Sequence, residues 1–173
     1  QASTAHIDVL PTLAQICQVK LPANIDGRSL LPLLRGEQVD WSDRSLFFYW
    51  SRRYPELYNN VALQKGDYKL VGHANYNAAI TDFELFNIKG DPGEQKNIVA
   101  DNKDRAGRLK TELDSIFTTL IRSDNLINPP RAIIGSKEEN PVILNRNDAG
   151  GERGIWAQEE IFGSWRISVH EGN

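Results

Sequence analysis

The chain of 173 residues has no methionine, one cysteine, and no apolar run near the ~20 residues of a membrane-spanning helix. A primary translation product begins with methionine. A chain beginning QASTAHID is therefore expected to have been processed, trimmed or cut from a longer one. That start also lacks a charged stretch followed by an apolar one, so no secretory leader is visible. A single Cys17 excludes an internal disulfide and leaves the redox compartment open. Basic residues are scattered and the net charge is −3, which argues against nucleic acid as a partner. There is no internal repeat or low-complexity tract. With 40% apolar and 25% charged residues, the chain suits one ordinary globular domain or one domain plus an appendage.

Hydrophobic periodicity divides the chain. Asp8 is placed to cap a helix with Pro11 in its first turn, where a missing N–H costs little. Leu10, Leu13, Ala14 and Cys17 follow at helical spacing, which predicts a packed thiol. Ser29 to Leu34 predicts a short helix around Pro32, ended by Gly36. The aromatic run RSLFFYW, residues 44–50, predicts a strand. Val61–Gln64 and Tyr68–Val71 flank Lys65-Gly66-Asp67 as a hairpin, and Phe83–Ile88 adds another strand. Residues 103–122 form the clearest helix: Ala106, Leu109, Leu113, Ile116, Phe117 and Leu120 make one stripe, and Glu112 is expected to face solvent opposite it. Asn128-Pro129-Pro130 closes this unit. The fold class is α+β, with an antiparallel sheet of about four strands packed against one long C-terminal helix. Beyond Pro130, Asn140–Leu144 and Trp165–Val169 predict strands flanking a glycine-rich loop, a short β tail.

Three segments carry a resemblance. His6-Ile7-Asp8-Val9-Leu10-Pro11-Thr12-Leu13 comes first, Asp26-Gly27-Arg28-Ser29-Leu30-Leu31-Pro32-Leu33-Leu34 second, and Phe83-Glu84-Leu85-Phe86-Asn87-Ile88-Lys89-Gly90-Asp91-Pro92-Gly93-Glu94-Gln95-Lys96-Asn97-Ile98 third. Together they resemble the C-terminal part of the sulfatase (arylsulfatase) family, in its order and approximate spacing, over roughly residues 5–122. The resemblance implies an alkaline-phosphatase-like parent that hydrolyses sulfate esters, with a formylglycine hydrate as nucleophile and calcium as Lewis acid. It implies a bacterial periplasmic or secreted setting, and sulfated carbohydrate or aryl sulfate as substrate. It also implies residues 1–40 as the end of the α/β catalytic domain and 41–126 as the C-terminal subdomain. The alternation of Trp165, Ile167 and Val169 at the chain end leads to the expectation that 127–173 is a β-rich tail beginning an appended domain.

The family's nucleophile lies in a C/S-x-P-x-R motif. Neither Cys17, in CQVKL, nor any serine here matches it. The expectation is that this chain holds no catalytic or metal-binding residue and no cofactor, and that it is inactive without its missing N-terminal catalytic domain. Ser123-Asp124-Asn125 imitates the family's calcium-binding SDN element, but it follows a long helix far downstream and is expected to be a helix end with Asn125 as C-cap. Asp91-Pro92-Gly93-Glu94 is turn chemistry, Lys69 a snorkelling strand lysine, and His6 a helix-entry residue bonded to backbone. The candidate substrate-binding residues are Arg52, Arg53 and Tyr54, after the first strand, and His73, after the third. Guanidiniums meet sulfate and an aromatic ring stacks on a pyranose. Two other readings are a free-standing carbohydrate-binding module using Trp156 and Trp165, and a structural or oligomerisation module with a large apolar patch.

Overall fold

The computed structural model describes residues 2–41, 44–51, 55–74, 76–128, 130–151 and 160–170. The chain divides into two compact units, Gln1–Ile121 and Arg122–Asn173. No helix among the described residues is long and apolar enough to cross a membrane.

The first unit is built on an antiparallel sheet of four strands in sequence order: β1 (Ser45–Tyr49), β2 (Asn59–Lys65), β3 (Tyr68–His73) and β4 (Phe83–Asn87). Every connection is between neighbours, so each strand's pairing is set by local chain reversal. In the β2–β3 turn Gly66 takes φ +56, a value that favours glycine at this position of a two-residue hairpin. Period-two alternation then places Phe47, Leu63, Leu70 and Leu85 in one row across the sheet, and Tyr49, Val61, Gly72 and Phe83 in the next.

Those rows face helix α3 (Lys103–Leu120), which supplies Ala106, Leu109 and Leu113 to a single core with Val61, Leu63, Leu70, Phe83 and Leu85. The predicted stripe and sheet are thus present, with the helix on the predicted face. Gly72 leaves room for Phe83, because a Cβ there would lie 3.0 Å from the Phe83 ring. The approach from β4 to α3 is pinned by Asn97, whose Oδ1 accepts from the Leu85 and Val99 amides.

The opposite face of the sheet is also partly covered. Leu46, Ala62 and Phe86 are buried there. The N-terminal segment is tied to the sheet where Gln64 Nε2 donates to Ser3 Oγ and Trp41 Nε1 donates to the Ser3 carbonyl. The segment itself contains α1 (Val9–Ile16), after a 3-10 turn over His6–Asp8, and α2 (Leu31–Leu34), with Pro32 in its first turn and Gly36 at φ +75 beyond it. Gly27 sits so close to α1 that an added Cβ would lie 2.0 Å from the Ile7 carbonyl oxygen, so no larger residue fits without displacing backbone.

Several sequence expectations are corrected. Asp8 does not cap α1 with its side chain. It is buried, and takes Arg44 Nη1 at 2.8 Å on Oδ2 and the Arg28 amide on Oδ1. Cys17 is exposed, as are Leu10 and Leu13, since α1 buries Pro11, Thr12 and Ala14 instead. Glu112 does not simply face water. It accepts from Ser45 Oγ and from Lys65 Nζ at 2.9 Å, clamping α3 to the β1 and β2 edge. Burial raises the Glu112 carboxyl, but Ser45 and Lys65 outweigh it and hold the group below its ordinary value. Glu112→Ala is therefore expected to cost about 1 kcal/mol, the loss of one partly exposed ion pair with its hydroxyl donor. Urea melts with no change against wild type would show that the clamp contributes nothing.

The second unit contains α4 (Asp124–Ile127) and the strands β5 (Ala132–Ile134), β6 (Gly150–Gly151), β7 (Gly163–Ser164) and β8 (Ile167–Val169). β5 pairs in parallel with β8, and β6 pairs antiparallel with β7. The Trp165–Val169 strand is present in its second half. The strand predicted over 140–144 is not formed: Pro141 removes a ladder donor, and Ile143 is left exposed. Ser123-Asp124-Asn125 begins α4 rather than ending α3, so Asn125 is not a C-cap. Asp124 spends its Oδ1 on the Asn128 side chain at 2.9 Å.

Candidate functional site

The strand order brings the C-terminal ends of β1 and β3 to one end of the sheet, because Tyr49 pairs with Val61 and His73 with Asn59. This end is irregular. The β2 register shifts between Asn59 and Val61, and Tyr58 and Asn60 take φ +64 and +55. A bulge here re-aims side chains at the rim of the sheet. His73 is exposed, with Nδ1 3.4 Å from Asn60 Oδ1. Trp50 follows β1 with 60% of its surface exposed, and Tyr76 lies beyond β3 with 73% exposed. Arg52, Arg53 and Tyr54 lie outside the described residues, as does Trp156, so of the four predicted substrate contacts the structure places only His73.

Beneath the rim lies a cluster that sequence reasoning missed. Tyr58 is buried edge-to-face on Phe83, with ring centroids 5.0 Å apart. Lys110 Nζ donates to the Tyr58 hydroxyl and to Asp114 Oδ2 at 3.0 Å, and lies 4.4 Å from the Tyr58 ring centroid. Burial pushes the Tyr58 phenol up. It pulls Lys110 down, yet the Tyr58 and Asp114 contacts outweigh it and leave the ammonium raised. Both groups therefore keep their protons through neutral pH, so neither serves as a general base there. The Lys110–Asp114 pair was visible as an i,i+4 spacing. Its reach to Tyr58, 52 residues away, was not.

The other candidates are structural. Asp91 Oδ2 accepts from the Lys96 amide at 2.8 Å, which lowers its carboxyl and makes it the turn residue expected. Lys69 is not merely solvated, because its ammonium meets both oxygens of Glu94, at 2.7 and 2.9 Å. His6 is exposed at the start of its 3-10 turn. In the second unit, Trp165 donates its indole N–H to the Asn145 carbonyl at 2.7 Å.

No group of three or more His, Cys, Asp or Glu among the described residues is placed to hold a metal. The buried carboxylate of Asp8 is already engaged by an arginine and backbone amides. The described residues therefore do not fit calcium. The rim presents exposed aromatics, an amide and an imidazole, groups of the kinds that stack on rings and hydrogen-bond to polar ligands.

This architecture, a four-stranded antiparallel sheet under one long helix, defines an α+β domain. Residues 1–121 match the family described as N-sulphoglucosamine sulphohydrolase, C-terminal, and the chain belongs to that family. Among its relatives is a Delta 4,5-hexuronate-2-O-sulfatase of Bacteroides thetaiotaomicron, 34% identical over 98 residues, which are 56% of this chain and 20% of the relative. An N-acetylglucosamine-6-O-sulfatase of the same organism is 29% identical over 103 residues, 56% of this chain and 18% of that protein. The chain thus spans about a fifth of the length of these relatives. The solved structure of Ps i-CgsB shares the fold, with a TM-score of 0.51 at 18% identity, over 66% of this chain and 24% of that one.

Proposed function

We propose that the chain is the C-terminal region of a sulfuric ester hydrolase of the alkaline-phosphatase-like superfamily, in which it supports the catalytic portion and shapes the rim of the substrate pocket without catalysing. The observation that carries this reading is the family match over residues 1–121, in a chain whose matched part spans about a fifth of its sulfatase relatives. A second observation supports it. Val9, Leu10, Leu13 and Ile16 on α1, with Val19 beyond it, are each more than half exposed. A helix in water does not ordinarily leave such a face bare, so the α/β catalytic portion is its natural cover.

The parent supplies the formylglycine nucleophile and the calcium site from that other portion. Its substrate is a sulfated carbohydrate or an aryl sulfate, and its setting periplasmic or secreted. Residues 1–40 close the catalytic domain, 41–126 form the C-terminal subdomain, and 127–173 begin a further β domain. Sequencing the codes upstream of Gln1 tests the reading, with a C/S-x-P-x-R motif as the expected result. Its absence there would overturn the assignment. The purified chain is expected to release no sulfate from an aryl sulfate or a sulfated sugar, and sustained turnover would refute the non-catalytic role. A stable dimer in sedimentation that buries α1 would favour an oligomerisation module instead.

At the rim, Arg52, Arg53 and Tyr54 join His73 in holding an anionic sugar. Replacing Arg52 and Arg53 by alanine in the parent is expected to raise KM for a sulfated oligosaccharide by about tenfold or more, with little change for a small aryl sulfate. Equal effects on both substrates would remove these arginines from the rim.

A further inference from the structure

At the other end of the sheet from this rim lies a depression of about 250 Å³ lined by Lys65, Tyr68, Arg105, Arg108, Leu109 and Glu112. Lys65 and Tyr68 flank the β2–β3 turn, a full seven-residue strand away from Asn59, or about 20 Å. Arg105, Arg108, Leu109 and Glu112 come from one face of α3, at i, i+3, i+4 and i+7.

The charge here is unbalanced in an acidic chain. Glu112 is committed to Lys65 at 2.9 Å. None of the ion pairs among the described residues involves Arg105 or Arg108. Arg105 lies over the Tyr68 ring, 3.8 Å from its centroid, so its position is fixed by an aromatic face and not by a carboxylate. Two guanidiniums, one of them held in place, beside an apolar floor formed by Leu109 are what an oxyanion carried on a ring requires. The donors meet the anion in pairs and the floor takes the ring's apolar face.

We propose that this depression is a second, non-catalytic binding site for a sulfated saccharide. It is remote from the rim, with Arg105 and Arg108 reading a sulfate group and Tyr68 and Leu109 contacting the sugar ring. Such a site would hold a polyanionic chain on the protein while another segment of it is processed elsewhere, raising the local concentration of substrate. Its tethering role rests on the hydrolase reading, but the site is complete within the first unit, so binding can be tested on this chain alone.

Amide-detected NMR titration of the chain tests the proposal, with a heparin-type hexasaccharide, its desulfated counterpart and inorganic sulfate as probes. Saturable shifts at Lys65, Tyr68, Arg105 and Arg108 are expected with the sulfated hexasaccharide. Affinity should fall at least about tenfold on desulfation and weaken as salt is raised. Arg105→Gln with Arg108→Gln should abolish these shifts. Arg108→Gln alone, at an exposed position that leaves the Tyr68 stack intact, should weaken binding on the order of tenfold with an unchanged melting temperature. Equal binding by the desulfated sugar, equal binding by Arg108→Gln, or shifts confined to other residues would overturn the site. Inorganic sulfate binding as tightly as the hexasaccharide would reduce it to a simple anion site and overturn the saccharide assignment.

Discussion

Replacing Asp8 by alanine is expected to destabilise the first unit by about 3–5 kcal/mol, the range for breaking one side of a buried ion pair. Asp8 is fully buried and Arg44 is 5% exposed, so removing the carboxylate strands a guanidinium out of water. It also strips the acceptor from the amides of Ala5 and Arg28. The pair joins α1 to the start of β1, and Arg44 sits 5.7 Å from the Trp41 ring centroid. The loss should therefore appear as early melting of the N-terminal segment along with the sheet. Removing both charges, as Asp8→Leu with Arg44→Met, should cost less than the sum of the single changes, because neither residue is then left charged and alone.

The pH dependence has a definite sign. Burial raises the Asp8 carboxyl, but Arg44 and the amides of Ala5 and Arg28 outweigh it and hold the group below its ordinary value. A carboxyl lowered on folding adds stability that is fully present above its unfolded value, ~3.9, and lost as pH falls through the folded value. The gap between wild type and Asp8→Asn in urea melts should therefore be constant near neutrality and close below about pH 4. A gap that persists unchanged into acid would show that the carboxylate charge is not what matters.

That pair also shows where sequence reasoning stops. Asp8 in the segment HIDVLPTL had the look of a helix cap, and nothing local distinguishes a capping aspartate from one that reaches Arg44, 36 residues on. The strands and α3 were legible because their signals are local: alternation, a glycine turn, and a single apolar stripe. The face of α1 was misjudged for the opposite reason. Its apolar spacing is correct, but in the described residues Pro11, Thr12 and Ala14 pack inward and Leu10 and Leu13 are left exposed, which spacing alone does not decide. In the tail, β5 pairs in parallel with β8 across a long connection, which local pattern cannot announce. At the rim, the position of His73 follows from strand order alone. The support of Tyr58 by Lys110 depends on how α3 crosses the sheet.

Leu113→Ala should cost about 2–5 kcal/mol, the range for truncating a fully buried leucine. Leu113 has no exposed surface and stands in the same core as Leu63, Leu70 and Leu85, each of which is likewise sealed from water. Those three belong to one row across the sheet, Leu63 and Leu70 on the two central strands and Leu85 on β4 with its amide held by Asn97, so the backbone around the new cavity has little freedom to collapse into it. The loss should accordingly sit toward the upper part of the range, and should not be recovered by small shifts of α3. Ser115, two residues along the same helix, is exposed, and Ser115→Ala is expected to change stability by no more than ~0.5 kcal/mol. Paired urea melts measure both, and the midpoint should move for Leu113→Ala without a change in slope if the denatured state is unaffected. Equal costs at the two positions would mean that α3 does not seal the sheet, and that the shared core of α3 and the β strands is not what holds this unit together.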